Sequence, residues 1–595
     1  MKTYGFRASR GVMLRKQAAL QDAIEAARVE SAQYQHARRR AGRPPHVDEW
    51  VTEAREIPTA QLSLLALEWA ARPRDEPIKR YAAALELGEA IAPKADKPVA
   101  VAVGLQVASL VSGAGIIEDL SPPLGKARDK SPLTLAPDVL ASIEHLMDAA
   151  PAKPLIAQPT DAPRVKKSWK GHTEPATPGP RVAEALDAIR GTRWAINPHM
   201  LAVLTKLYPT GRRSRLKPTE RAALHTAGTL SAPFYLGGHF DWRGRYYQDG
   251  LNGLQWTSAT DLTRSLLQFA DGFPINHVEG LPFLKLHITS TYGYKGADAQ
   301  RWQWVDDNQV RILALADNPA STSKFWRGAK ERYRFLAACY AYRDVLAGNP
   351  VHLPCSFDVT CSGVGIYALL TRDENLGRLV GLLPGGSVPD FYAHVGALCD
   401  PPATREAVKE VVVPAMYGQG VNRPNKIRSA MWKAMGPAAR QLFDWLRTQG
   451  AADSVLAWDL PDGFTVAQDY RKIITSRLAV RSGRRLIRLE DHSPGWDFDS
   501  VKSARSTPAN FIQSWDGAYL RAVVRLGRAM GIPSWGVAHD CFSVHAAFAQ
   551  PLVTVALQYA AVEVFGPDRL AALGWGDEVP GARGVLDWRL GYIVG

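Results

Sequence analysis

Two short apolar segments that each lead to an aspartate place the strongest constraint on how this chain can fold. Asp358 closes the segment LPCSFD, and Asp540 follows VAH, 182 positions further along. Each segment is typical of a strand that presents a carboxylate where it ends. Magnesium takes oxygen ligands and keeps positions for water and phosphate, so one or two carboxylates per ion suffice. The pair therefore predicts a two-metal phosphoryl-transfer site, while a turn or cap is the alternative for either residue alone.

A basic stripe lies between the two aspartates, in the segment REAVKEVVVPAMYGQG. Arg405, Lys409 and Tyr417 are separated by four and eight positions, so a helix brings them onto one face. Such a face can bind a triphosphate through its cations and contact the sugar through the tyrosine. A solvated basic face with a packed tyrosine is the alternative.

The carboxylate strand, the Arg-x3-Lys-x7-Tyr-Gly helix and the His-Asp hairpin, in this order, resemble motifs A, B and C of the single-subunit RNA polymerases of bacteriophages and mitochondria. The pentapeptide DWRGR at 241–245 marks this family and is absent from the related DNA polymerases. Weaker matches extend the resemblance from about Leu155 to the C-terminus: TRWAIN (192–197), TRSLLQFADG (263–272), RFLAACYAY (334–342), PDGF (461–464) and ANFIQSWDGAYLR (509–521).

The resemblance implies an α+β fold, predominantly helical, built as a right-hand polymerase with palm, fingers and thumb and a reduced helical N-terminal domain. Composition agrees, because 595 residues exceed what one hydrophobic core organises. Helix-forming stretches are predicted before residue 150, among them 76–92. The implied divisions are 1–150, the helical N-terminal domain; 151–180, a Pro-rich connection; 181–347, thumb and start of the palm with DWRGR; 348–400, palm with motif A; 401–460, fingers with motif B; 461–508, a hairpin; and 509–595, palm with motif C and the C-terminus.

The same resemblance implies template-directed 5′-to-3′ RNA synthesis from NTPs with two Mg²⁺ ions. The catalytic residues would be Asp358, Lys409 and Asp540, with the metals held by Asp358, Asp540 and the backbone carbonyl of Val359. The family pattern gives the NTP contacts to Arg405, Lys409, Tyr417 and Gly418. It gives the template or hybrid contacts to Arg243, Arg245, Tyr247, Arg264 and His539.

Two alternating runs around Ser482-Gly483 predict a β-hairpin with a tight turn. By position this hairpin resembles the family's specificity loop, in which arginine side chains read guanine edges at a promoter. The candidate promoter contacts are Arg481, Arg484, Arg485 and Arg488. Phosphate contact or a solvated edge is the alternative for each of them.

A formal net charge of +14 favours a polyanionic partner. The expected partners are a double-stranded DNA template, nascent RNA and NTPs, with no membrane, a monomeric chain, and the need for an initiation factor left open. Five cysteines, without zinc-type spacing, predict free thiols in a reducing compartment. We expect a cytoplasmic protein, in a bacterial host if the gene is a phage gene.

Departures from the family pattern include Val359 in place of the usual glycine, Pro414 inside motif B, which predicts a kink, and Tyr519 where relatives carry histidine. Three other functions stay open at this point. They are a primase-like RNA polymerase without promoter preference, a family A-like DNA polymerase, and a DNA-binding protein without catalysis.

Overall fold

The structure is a computed structural model that describes residues 161–572, apart from 169, 210–215, 321–322, 359–361, 384–389, 417–424 and 483–484, together with residue 159, Ile24 and three short strands nearer the N-terminus. Its strands are β1 (Ile78–Lys79), β2 (Ile117–Asp119), β3 (Pro132–Leu135), β4 (Val165–Lys166), β5 (Trp194–Ile196), β6 (Gly238–Asp241), β7 (Tyr246–Gln248), β8 (Leu267–Phe269), β9 (Pro354–Asp358), β10 (Leu456–Asp459), β11 (Thr465–Gln468), β12 (Arg471–Ser482), β13 (Arg485–Phe498), β14 (Gly536–Ala538) and β15 (Cys541–His545).

Helices account for most of the described chain. They are α1 (Pro180–Arg190), α2 (Pro198–Leu207), α3 (Pro218–Thr229), α4 (Asp261–Leu266), α5 (Leu281–Tyr292), α6 (Asp298–Asp307), α7 (Gln309–Asp317), α8 (Ser323–Arg327), α9 (Arg332–Leu346), α10 (Ser362–Thr371), α11 (Glu374–Leu379), α12 (Phe391–Ala397), α13 (Arg405–Met416), α14 (Lys426–Gly450), α15 (Ser500–Ala529), α16 (Ala549–Pro551), α17 (Leu557–Phe565) and α18 (Arg569–Ala572). The sheets have two or three strands each. The expectation of a predominantly helical α+β protein is therefore confirmed.

The chain divides into two compact units. One comprises 1–152, 217–225 and 473–493, and it contains a three-stranded sheet in the order β1-β3-β2. The helix predicted over 76–92 is wrong at its start, because Ile78–Lys79 pairs with Leu133 and Pro132 as a strand. Pro77 disfavours helical backbone at the residue before it, and a β-branched isoleucine follows. Apart from Ile24, which is helical, the residues of the other predicted helices before residue 150 lie outside the described residues.

The second unit comprises 153–216, 226–472 and 494–595, and α15 lies at its centre. This helix packs against α1, α10, α14 and α17. Asp499 caps it by accepting a hydrogen bond from the backbone N–H of Lys502 at 2.9 Å. Its buried side chains include Trp515, which is 1% exposed. The helix therefore forms a core element around which these four helices pack.

The C-terminal stretch Ala546–Ala571 is long and apolar enough to cross a membrane by length and composition. Its apolar side chains, however, include Leu552, Leu557 and Phe565, which are buried in the protein. Because α17 packs against α15, the core accounts for the apolar composition of this stretch.

The hairpin predicted around Ser482-Gly483 is confirmed, since β12 and β13 form a two-stranded sheet. The side chains of Arg481, Arg484, Arg485 and Arg488 lie outside the described residues, so their contacts stay predictions. Pro414 lies within α13, which continues to Met416 despite the missing N–H of the proline.

Candidate active site

A three-stranded antiparallel sheet, in the order β14-β15-β9, brings the two predicted aspartates together. Cys541 is the register partner of Asp358, and the pairing continues to His545 opposite Pro354. Asp540 precedes Cys541 directly, so its backbone lies beside that of Asp358 at the same end of the sheet. Backbone pairing thus fixes the position of both carboxylates, although 182 positions separate them in the chain.

Asp540 lies in a two-residue turn, since Ala538 pairs with Cys541 on either side of it. His539 adopts a left-handed conformation with φ of 56°. For a residue other than glycine this costs roughly 1 kcal/mol or more, a type of strain that is concentrated at functional sites. The Ser362 hydroxyl at the start of α10 donates a hydrogen bond of 2.6 Å to Asp540 Oδ2. The turn and this hydroxyl together set the direction of the Asp540 carboxylate.

The environment of Asp358 disfavours a bare negative charge. Asp358 is solvent-exposed. Even so, desolvation by the surrounding protein, and then the negative charge of the Asp540 carboxylate, raise its pKa to about 7. The charges of Lys330 and Lys409 lower the pKa but do not offset the increase. A cation bound between the two carboxylates would remove this repulsion.

A polar link, half-buried at Ser356 and fully buried at Ser543, joins β9 to β15. Ser356 and Ser543 are register partners, and their hydroxyls form a hydrogen bond of 2.7 Å. The guanidinium of Arg334, in α9, donates to the Ser356 hydroxyl. The backbone N–H of Ser356 donates to His287 Nδ1 at 3.1 Å. Burial lowers the pKa of His287 well below its usual range, so the ring is neutral and can accept this bond.

Helix α13 presents the basic residues of the predicted triphosphate site. Arg405 forms an ion pair with Asp390 at 2.7 Å, and both side chains are about one-third exposed. Lys409 is exposed, and its charge acts on Asp358. The structure therefore places Lys409 within electrostatic range of Asp358. Tyr417 and Gly418, like Val359, lie outside the described residues.

The DWRGR pentapeptide forms a tight turn between β6 and β7. The Asp241 carboxylate accepts hydrogen bonds from the backbone N–H groups of Arg243 and Arg245, each 3.0 Å long. Gly244 has φ of 83°, a conformation that favours glycine. A Cβ atom on Gly517 of α15 would lie 2.5 Å from the Gly244 carbonyl oxygen, so helix and turn are in direct backbone contact.

Two arginines of the turn form internal ion pairs. Arg243 donates to Asp241 at 2.6 Å and to Gln513 at 2.5 Å. Arg245 pairs with the buried Asp516 of α15 at 2.8 Å. Burial raises the pKa of Asp516 to about 6, an effect that the Arg245 charge opposes. Both arginines are therefore held against α15.

Three further predicted site residues occupy different settings. The Tyr247 ring lies edge-on to the ring of His539, with centroids 5.4 Å apart. Burial, with the Arg245 charge, lowers the pKa of His539 to about 4, so this histidine is neutral at pH 7. Arg264 donates to the carbonyls of Trp256 and Thr257 at 2.9 and 3.0 Å. In the structure, the Arg264 guanidinium thus binds backbone carbonyls of its own chain.

Tyr519, the residue that departs from the family pattern, is directed into the core. Its hydroxyl donates to the Leu557 carbonyl at 3.0 Å, and the side chain is buried. Together with Ser362, Asp516 and Asp540 it lines a small cavity whose other walls are apolar.

The carboxylate oxygens of Asp358 and Asp540 suit a hard cation that is coordinated partly by the protein and partly by a substrate. Within the described ranges, no group of three or more His, Cys, Asp or Glu side chains could hold a metal by itself. Two carboxylates at the end of a sheet, opposite a lysine, leave coordination positions for phosphate and water, the arrangement that magnesium prefers. The residues present fit this ion.

Several supporting residues were not identified as such from the sequence. They are Ser362, Arg334, Ser356, Ser543, Asp516 and Arg521. Arg521 pairs with Asp462 of the PDGF segment and donates to the Gly244 carbonyl at 2.5 Å. The signal was present, because RFLAACYAY, PDGF and ANFIQSWDGAYLR contain three of these residues and Asp462.

Comparison with known proteins gives an independent result. The family model described as DNA-dependent RNA polymerase matches residues 275–431 and 425–574. The chain is 26% identical over 474 residues to the chloroplastic DNA-directed RNA polymerase 3 of Nicotiana sylvestris, an alignment that covers 62% of this chain and 47% of that protein. It is 28% identical over 376 residues to the mitochondrial enzyme of Mus musculus, which covers 53% of this chain and 30% of the relative.

The T7 RNA polymerase of Escherichia phage T7 is 27% identical over 402 residues, covering 51% of this chain and 45% of the phage protein. The aligned region thus spans about half or less of the length of these relatives. The family match includes both aspartates and α13. On this match, the chain belongs to the DNA-dependent RNA polymerase family of the single-subunit type, which phages, mitochondria and chloroplasts share.

Proposed function

We propose that this chain is a DNA-directed RNA polymerase that copies a DNA template into RNA, in the 5′-to-3′ direction, from NTPs. The observation that carries the proposal is the strand register that sets Asp540 beside Asp358, with Lys409 acting on the same carboxylate. A carboxylate pair faced by a cation is what nucleotidyl transfer needs at the reacting phosphate.

In this proposal the β14-β15-β9 sheet is the palm and 401–460, with α13 and α14, are the fingers. The thumb comprises residues 181–230 and the helices near 296–347. The remaining divisions follow the boundaries given above. The relatives of this chain include chloroplastic, mitochondrial and phage enzymes. We propose a bacterial host cytoplasm and transcription of phage genes for this one.

Asp358, Asp540 and the Val359 carbonyl would hold two Mg²⁺ ions. When bound, magnesium supplies activation of the 3′-hydroxyl and charge neutralisation of the triphosphate during attack on the α-phosphorus. Lys409 would offset charge on the β and γ phosphates and donate a proton to the departing pyrophosphate. Arg405 would leave Asp390 to bind the same phosphates, while Tyr417 and Gly418 would contact the ribose and the template base.

Arg245 and Arg243 enter the proposal in a revised role. Because both are paired with side chains of their own chain, we propose that they hold the DWRGR turn against α15. The half-buried residues of the turn, together with Tyr247, Arg264 and His539, would then border the template path.

Primer extension on a DNA template tests the proposal. The purified chain should extend an RNA primer with NTPs and Mg²⁺, and it should incorporate dNTPs much less efficiently. Asp540→Asn should lose extension by at least about 10³-fold while it keeps DNA binding, because the metal ligand takes no part in template affinity. Efficient extension with dNTPs alone would favour a DNA polymerase, and DNA binding without extension by the wild type would reject the enzyme.

A further inference from the structure

The Lys-bearing connection predicted over 151–180 is held in place near the start of β12. The Asp469 carboxylate accepts hydrogen bonds from the backbone N–H groups of His172 and Thr173, at 2.8 and 3.0 Å. The Arg471 N–H donates to the Lys170 carbonyl at 3.0 Å. A Cβ atom on Gly171 would lie 2.4 Å from the Asp469 carbonyl oxygen. Residues 170–173 therefore have a defined path.

Trp496, near the end of β13, lies on this segment and is 80% exposed. Its ring stacks on the His172 ring, with centroids 4.6 Å apart and an interplanar angle of 26°. A nitrogen of the His172 ring is 3.0 Å from the Gly495 carbonyl, and Arg471 donates to the Trp496 carbonyl at 2.7 Å. The indole is thus supported from one side and open to solvent over most of its surface.

Three cations lie on chain segments that adjoin this indole: Lys170 precedes His172 by two residues, and Lys502 and Arg505 lie in the first two turns of α15, which follows β13. Burial lowers the pKa of Lys502, and the charges of Lys170 and Arg505 lower it further, so both charges act on Lys502; Asp499 acts in the opposite direction. Arg505 is exposed, and Lys170 and Lys502 are half-buried. An anion bound here would relieve the repulsion among the three charges.

We propose that Lys170, His172, Trp496, Lys502 and Arg505 form a docking surface for single-stranded nucleic acid. One unpaired base would stack on the Trp496 ring, while the cations contact the phosphates beside it. A duplex does not fit this chemistry, because its bases already stack on each other and offer no free face. The inference rests on the proposed function, which supplies both a nascent RNA strand and separated DNA strands.

Equilibrium binding of fluorescent 12-nucleotide strands to the full chain tests this surface. Trp496→Ala should weaken binding of single strands by about 5- to 150-fold, the range for loss of one base–aromatic stack. Trp496→Phe should keep most of the affinity, and Tyr559→Ala, which removes a 63% exposed aromatic from α17, should leave it unchanged. Lys502→Ala should reduce the slope of log K against log[salt] by about 0.7.

Parallel titrations with RNA strands and with DNA strands distinguish the source of the bound strand. Stronger loss with RNA assigns the surface to the transcript, and stronger loss with DNA assigns it to a separated template strand. Single-strand affinity of Trp496→Ala within twofold of wild type would overturn the proposal. So would unchanged affinity with loss of self-association in sedimentation, which would assign the surface to a second copy.

Primer extension, measured in parallel, separates this proposal from the proposed function. If wild type fails to extend a primer while Trp496→Ala weakens single-strand binding, the surface stands and the polymerase assignment fails. If wild type extends normally and Trp496→Ala binds normally, the enzyme stands and the surface is rejected.

Discussion

The two sides of the candidate active site are built in opposite ways. On the β14-β15-β9 side, backbone pairing and a buried hydroxyl link fix the strands, and Ser543 is completely buried. On the α13 side, Lys409 is exposed, and the ion pair of Arg405 with Asp390 is about one-third exposed. Exposed ion pairs contribute at most about 1 kcal/mol and exchange readily. The strands that carry the two aspartates are therefore held by backbone pairing and a buried hydroxyl, whereas the α13 side is open to solvent.

Loss of the lysine should have the largest effect on the α13 side. Lys409→Ala should lower kcat by about 10²- to 10³-fold, because it removes the cation that we propose to act on the reacting phosphates. Steady-state NTP incorporation measures this. Lys433→Ala, an exposed lysine on α14, is the matched control. If both variants lost activity equally, general surface charge rather than position would explain the loss.

Loss of the buried link should have an intermediate effect on the sheet side. Ser356→Ala removes the bonds to Ser543 and Arg334 and should lower stability by about 1 to 2 kcal/mol. We expect kcat to fall about tenfold and the Mg²⁺ concentration for half-maximal rate to rise, with little change in the KM for NTP.

Ser503→Ala is the control for that variant, since it removes a buried hydroxyl that accepts from Gln468 at 2.7 Å. It should lower stability without changing the Mg²⁺ requirement. An equal decrease in stability for both variants, with kcat unchanged in both, would show that the link is structural only.

Release of Arg405 should have the smallest effect. Asp390→Asn keeps an N-cap for α12, whose Ala393 N–H bonds Asp390 at 3.1 Å, and removes the negative charge that holds Arg405. The KM for NTP should decrease by up to about threefold with unchanged kcat. An increase in KM would mean that Asp390 instead holds Arg405 in its productive position.

The sequence was most informative where a short motif of neighbouring residues indicates a function or a local structure. The two aspartates, the α13 stripe and the β12–β13 hairpin were visible as local patterns, and the hairpin and the predominantly helical fold are confirmed. The supports were not predictable, because Arg334 meets Ser356 and Arg245 meets Asp516 only after distant segments have packed. A motif indicates that a residue is functionally important, but tertiary packing determines which residue it contacts.

The strand at Ile78–Lys79 shows where a local sequence pattern predicted the wrong structure. Helix-forming composition over 76–92 predicted a helix, whereas pairing with β3 determined the backbone locally. Intrinsic propensity is a weak preference that tertiary pairing overrides. Arg243 is a separate case: its motif predicted a template contact, which stays a prediction, and its guanidinium pairs with Asp241 and Gln513.

The central claim is that Asp358 and Asp540 act as one metal-binding unit. Titration with Mn²⁺, followed by electron paramagnetic resonance, tests it without reference to activity, in wild type, Asp358→Asn, Asp540→Asn and the double variant. Shared ligation predicts that each single variant loses the tight Mn²⁺ site almost as completely as the double variant does, since neither carboxylate suffices alone. Tight binding that survives in either single variant, with losses that add in the double variant, would contradict the account.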